Sequence, residues 1–251
     1  DKGEKPYHLI LLARDDRGYR NLMKLSSIAY LDGFYYKPRI DREVLASHAE
    51  GLVCMSSCLG GEIPSLLLRG REQEARARAG EYRDLFGEDY YFELMDNGIA
   101  EQQQVNRELV KLSGDLGVEL AATNDVHYLE QGDAEYHDVL LCIQTGKTVG
   151  ETRRLRFKSD QFYLKSPREM AELFAEHPEA LANTIEITEK CNLSLTLGDY
   201  HLPHFPIPEG HTAETYLRML TEEGASRRYR AVTDQARARM DHELQVIASM
   251  G

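Results

Sequence analysis

Four cysteines scattered through 251 residues are too few for a disulfide framework. In a reducing compartment each is either a small buried hydrophobe or a metal ligand. No apolar run has the length or flanks of a signal peptide or a membrane span, so a cytoplasmic chain with no membrane partner is expected. Positive charge is outnumbered, with 30 Lys and Arg against 42 Asp and Glu, and the formal net charge is −12. Such a chain has no bulk attraction for nucleic acid. Contact with DNA must then run through a local basic patch, a metal, or another part of a longer protein. The Walker loop, the dinucleotide fingerprint and the G-x-S-x-G elbow are all missing, and the pair Gly60-Gly61 is weak evidence for phosphate binding. An initiating Met is lacking too, and the last residues read as an amphipathic helix stopped at Gly251. Both ends are expected to be cuts in a longer chain.

What is present alternates between short apolar runs and helical periodicity. Strands are predicted over 7–13, 51–56, 90–94 and 118–123. Between them, helices are predicted around Leu22, Leu25 and Ala29, then over 41–49, 62–68, 72–86 and 101–116. Gly117 and Gly146 stand where helices over 101–116 and 133–145 should end. Strand alternating with helix is the pattern of an α/β parallel sheet or barrel, whose sites gather at the C-terminal strand ends. Attention therefore falls on the loops after Ser56, Leu94 and Thr123. Further on, 153–158 is a basic stretch and 161–165 a short predicted strand. Ser166-Pro-Arg-Glu169 is an N-cap with Pro at the first helical position and a capping-box Glu, and 178–190 is a further helix. The Pro-rich segment 201–210 suits neither a central strand nor a helix and reads as a linker, followed by charged helix after Thr212. The predicted organisation is a domain over 1–197, a linker over 198–212 and a helical segment over 213–251.

The sharpest local signal is Thr123-Asn-Asp-Val-His127. Asp125 and His127 are two apart, so an extended chain points both to one side. A carboxylate and an imidazole at a strand end make half a site for Zn²⁺ or Mn²⁺. The same residues also read as a helix-capping Asp beside a half-exposed His. In Cys54-Met-Ser-Ser-Cys58-Leu-Gly-Gly61, Cys54 lies within a strand and reads as packing. Cys58 lies beyond it, in a glycine turn, where packing and metal ligation both remain open. His8, among Leu and Ile, reads as a hydrogen-bonded core residue, and Glu93 in Tyr-Tyr-Phe-Glu-Leu as a salt-bridged one, because an unpaired buried carboxylate is costly. His48 and His177 read as solvated helix ends, and His137 as facing a neighbouring element. His201, His204 and His211 read as surface residues of the linker, and Cys142 and Cys191 as core. The stretch 153–158 reads as a solvated loop rather than a phosphate contact.

Several runs together resemble the PHP domain of bacterial replicative DNA polymerase alpha subunits. They are His8-Leu-Ile-Leu-Leu-Ala13, Gly18-Tyr-Arg-Asn-Leu-Met-Lys-Leu-Ser26, Gly33-Phe-Tyr-Tyr-Lys-Pro-Arg-Ile40, Ser57-Cys-Leu-Gly-Gly-Glu62, Tyr91-Phe-Glu-Leu94, Ala122-Thr-Asn-Asp-Val-His-Tyr128 and Gln161-Phe-Tyr-Leu-Lys165. Asn183-Thr-Ile-Glu-Ile187, Leu202-Pro-His-Phe-Pro206 and a palm-like end from Glu243 follow in the family's order. The resemblance implies a partial, distorted (β/α)₇ barrel lacking its first strands. It implies a divalent metal (Zn, Mn or Mg) held in part by His8, Cys58, Asp125 and His127. Through the parent protein it further implies Mg-dependent polymerisation and, where the pocket is intact, 3′→5′ exonuclease activity. The implied partners are primer–template DNA, dNTPs, a sliding clamp, a clamp loader and a separate proofreading subunit. A non-catalytic scaffold and a stand-alone PHP phosphoesterase are the alternatives.

Overall fold

The computed structural model describes residues 6–200 and 202–250. It divides into two compact units, Asp1–Leu195 and Thr196–Gly251.

The first unit is a mixed α/β domain around a four-stranded sheet in the order β1 (Ile10–Ala13), β2 (Leu52–Met55), β3 (Tyr90–Leu94), β4 (Glu119–Ala122). β2, β3 and β4 are parallel, as expected of an α/β chain. β1 is not: Ile10 pairs with Met55 and Ala13 with Leu52 in an antiparallel register. Hydropathy identifies a strand but carries no sign for its direction, so an all-parallel expectation was open to this correction. β1 is also shorter than the predicted 7–13, and His8 joins the sheet only through a single bridge to Gly61.

The side-chain alternation of the strands makes two unlike faces. Leu52, Cys54, Tyr90, Phe92, Leu94, Leu120 and Ala122 point into the larger core. That core is closed by α1 (Asp16–Leu31), α2 (Arg42–Ser47), α3 (Glu62–Leu68), α4 (Glu72–Phe86) and α5 (Ala100–Leu116), with contributions from Phe174 and Ala180. Val53, Met55, Tyr91 and Ala121 point the other way into a small cluster with Ile187. Local chemistry explains the helix starts. Asp15 accepts from the Gly18 amide at 2.8 Å and Asp41 from the Val44 amide at 2.9 Å, so each supplies an acceptor that the first turn lacks. Beneath the sheet, Lys190 bonds the Tyr91 hydroxyl at 2.7 Å and lies 3.5 Å from Asp89, which also pairs with Arg14. This ties α8 (Pro178–Lys190) to the start of β3 and the end of β1.

The predicted strand over 161–165 does not form. Tyr163 makes only an isolated bridge to Tyr128, and Lys165 is buried with its ammonium turned back onto the Gln161 carbonyl. That bond curls the segment where a strand would stay extended. The capping box of α7 (Pro167–Leu173) does form. Glu169 accepts from the Ser166 amide at 2.8 Å, the Ser166 hydroxyl at 2.6 Å and the Tyr163 hydroxyl at 2.6 Å. These donors, led by the Ser166 hydroxyl, hold the Glu169 carboxyl down to about 2 from its ordinary 4.5. Because the folded pKa is depressed, the stabilisation is complete above the ordinary value and is lost as pH falls toward the folded one. The start of α7 should therefore fray between pH 4.5 and about 2. A carboxyl NMR titration of Glu169 with a midpoint near 4.5 would refute this, and Glu169→Gln should remove the acid dependence.

The stretch 153–158 departs from a solvated loop. The Arg154 side chain is almost fully buried and makes a paired contact to Asp138 of α6 (Ala134–Thr145) at 2.5 and 2.6 Å. Phe157 turns inward onto His137 at 4.8 Å between ring centres. Arg153, Arg156 and Lys158 remain exposed, as expected for the rest of the stretch. His48 and His177 are half-buried rather than solvated, with the His48 ring nitrogen 3.0 Å from the Val44 carbonyl. Cys54 and Cys142 are buried, and Cys191 is half-buried against the small cluster.

In the second unit, α9 (Ala213–Arg228) packs on α10 (Asp234–Met250), with Arg218 2.6 Å from Asp241. Thr212 caps α9 by accepting from the Thr215 amide. The segment 202–210 has no regular helix or strand. His204 and His211 are exposed, and His201 lies outside the described residues. Among the described residues, no helix is long and apolar enough to cross a membrane.

Candidate metal centre

Strand direction decides which residues share a rim. Three parallel strands end together, so the segments after β2, β3 and β4 emerge on one side of the sheet. An antiparallel β1 brings its beginning, not its end, to that side. His8, two residues ahead of β1, therefore meets the turn that follows β2. The His8 amide donates to the Gly60 carbonyl at 2.9 Å, and its Nδ1 lies 3.6 Å from Cys58 Sγ. Gly60 is what permits this approach, since a Cβ there would fall 2.9 Å from His8 Nδ1. Ser57, just before Cys58, is buried and has a φ of +67°, a left-handed conformation that costs a non-glycine residue on the order of 1 kcal/mol. The turn accepts that cost while aiming Cys58 at the rim.

The second pair follows β4. His127 Nε2 is 3.3 Å from Asp125 Oδ1, and both side chains are about a third exposed (37% and 31%). The His127 amide donates to the Phe162 carbonyl at 2.8 Å. Its ring sits edge-on to Phe157 at 4.9 Å, Phe162 at 5.4 Å and His137 at 5.5 Å. These rings limit how far the imidazole can turn. Burial, and then the neighbouring His127 charge, push the His137 pKa down.

Glu93 lies between these two pairs, at the end of β3. It is only 2% exposed. Oε1 accepts from the Thr123 hydroxyl at 2.5 Å, while Oε2 is buried without a hydrogen-bond partner. No cationic side chain pairs with it among the described residues, which corrects the expectation of a salt bridge. Burial raises its pKa. The Thr123 hydroxyl and the Ser57 amide oppose that rise, and the Asp125 charge adds to it.

The four sequence candidates thus stand at one rim as two pairs, His8 with Cys58 and Asp125 with His127. Among the described residues, no three His, Cys, Asp or Glu side chains converge tightly enough to hold an ion alone. Two imidazoles, a thiol and a carboxylate are nonetheless a donor set suited to Zn²⁺ or Mn²⁺, and an orphaned buried carboxylate oxygen beneath them suits a cation nearby. The residues present fit a divalent metal as half-sites rather than as a closed shell. Sequence reasoning missed the placement of Glu93, although strand parity with Tyr91 carried the signal. It also missed the aromatic support of His127, which comes from segments distant in sequence.

Residues 1–97 match the PHP domain family. Over 250 residues and 99% of its length, the chain is 50% identical to DNA polymerase III subunit alpha of Treponema pallidum, covering 21% of that protein. The corresponding subunit of Borreliella burgdorferi is 46% identical over 100% of this chain and 22% of its own length. That of Thermus aquaticus is 46% identical over 89% of this chain and 19% of its own length. The chain is homologous to the DNA polymerase III alpha subunits. It spans about a fifth of the length of these alpha subunits. The PHP match takes in His8, Cys58 and Glu93 and stops ahead of Asp125 and His127, whereas the alignment with the Treponema alpha subunit covers 99% of the chain.

Proposed function

We propose that this chain is part of a replicative DNA polymerase alpha subunit, and that its PHP region holds a divalent metal through His8, Cys58, Asp125 and His127. In the parent protein this centre would serve 3′→5′ hydrolysis of a mispaired primer end. The observation that carries the reading is the placement of both candidate pairs on the side of the sheet where the parallel strands end, in a chain aligned almost end to end with alpha subunits. A bound metal would supply an acidified water and hold the leaving oxygen. The chain's own residues do the rest. Cys58 and His8 approach one another because Gly60 lacks a side chain, and the ring cluster orients His127 toward Asp125. Primer–template DNA, dNTPs and Mg for polymerisation would be engaged through the parent protein. The sliding clamp and clamp loader would be its replisome partners, and the cytoplasm its compartment.

A second reading, a scaffold that docks a separate proofreading subunit, is favoured by the absence of three convergent donors among the described residues. Alignment with polymerase subunits over 99% of the chain weighs against a stand-alone phosphoesterase. The full-length protein decides between these readings. His127→Ala is expected to cut exonuclease turnover by about 100-fold or more, with polymerase activity intact and the PHP metal content lowered. Exonuclease activity that survives this change would exclude the site.

A further inference from the structure

A carboxylate that is 98% buried normally answers to a cation or to donors on both oxygens. Glu93 is 2% exposed, and Oε2 has neither. The anomaly lies where chemistry is expected. Oε1 is held by the Thr123 hydroxyl, two residues before Asp125, and the Ser57 amide, one residue before Cys58, also acts on this carboxyl. Glu93 thus sits between the turn that carries Cys58 and the loop that carries Asp125 and His127. The larger core does not explain it either, because Phe92 and Leu94 face that core while Glu93 shares the opposite parity with Tyr91.

We propose that Glu93 is part of the cation site at this rim: a buried carboxylate whose charge is balanced by a divalent metal, and a positioning residue that ties the Cys58 turn to the Asp125–His127 loop. The inference rests on the metal reading above. Without a cation, Glu93 is a buried acid beside Asp125 with no cationic side chain against it among the described residues, Asp125 itself having only the His127 imidazole, and the metal-free protein bears that burden. With a cation, the same pair strengthens binding through the low-dielectric surroundings of Glu93. Outer carboxylates that orient metal ligands typically contribute about 10–100-fold to metal affinity.

The test uses full-length polymerase, with Zn²⁺ titrated from a chelator buffer in saturating Mg²⁺ so that other cation sites stay filled. Glu93→Gln keeps the shape and an acceptor for Thr123 but removes the charge. It should weaken Zn²⁺ binding by about 10-fold or more while leaving the metal-free protein as stable as wild type or more so. Glu93→Asp keeps the charge and shortens the reach, so it should bind Zn²⁺ more tightly than Glu93→Gln does. A purely structural strut predicts the reverse order of the two variants, and that order would overturn the proposal. So would wild-type affinity in Glu93→Gln, or failure of that variant to fold without metal. A wild-type protein that takes up no Zn²⁺ would instead remove the metal reading itself.

Discussion

Alanine at Gly61 is expected to destabilise the first unit by about 3 kcal/mol or more, whereas alanine at adjacent Gly60 should cost about 1 kcal/mol or less. The difference lies in what each new Cβ would strike. At Gly61 it would fall 2.1 Å from the Ser56 carbonyl oxygen and 3.1 Å from that of Cys58. Both are backbone atoms, and the position is pinned from both sides: the Gly61 amide donates to Cys58 at 2.7 Å, and its carbonyl accepts from Ser65 at 3.0 Å. Relief requires moving the turn or the start of α3. At Gly60 the new Cβ would meet the His8 ring, the end of a side chain free to rotate. Gly60→Ala should therefore spare stability but push His8 away from Cys58 and weaken metal uptake. Hydrogen exchange of the β2 amides in the full-length protein, compared at equal denaturant, separates the two. Equal destabilisation by both changes would show that this reading of the turn is wrong.

The same turn shows where sequence reasoning stops. The element boundaries were largely legible. The ranges 62–68, 72–86, 90–94 and 178–190 follow from periodicity, glycines and prolines and match Glu62–Leu68, Glu72–Phe86, Tyr90–Leu94 and Pro178–Lys190. The helical start at Ser166 was legible because a capping box is a local hydrogen-bond arrangement. The direction of β1 was not, since antiparallel and parallel strands carry the same apolar run. That direction places His8 at the rim, so the core-like reading of His8 failed for a topological reason. The stretch 153–158 misled because charge predicts exposure only until a partner is found, and Asp138 of α6 is that partner for Arg154. Glu93 misled in the opposite sense: burial of an acid suggested a salt bridge, and the structure supplies a hydroxyl on one oxygen, no hydrogen-bond partner on the other, and no cationic side chain among the described residues.

Phe92→Ala should bring a comparably large loss, about 3–5 kcal/mol, by a different route. Phe92 is fully buried in the larger core, edge-on to Tyr90 at 5.5 Å and opposite Leu120 in the sheet. Removing the ring forfeits its transfer free energy and leaves a cavity that β3 cannot close, because it is paired on both sides. The neighbouring residue Glu93 points to the other face, so the rim should feel the change only through global unfolding. In the full-length protein, amides of β2, β3 and β4 should lose protection together, while the fraction that remains folded keeps wild-type Zn²⁺ affinity. A weakened affinity in that folded fraction would mean the two faces are mechanically coupled, and the division of labour between core and rim would have to be abandoned. Preserved affinity would place stability and cation binding on opposite faces of one strand, with alternate residues of Tyr90–Leu94 serving each.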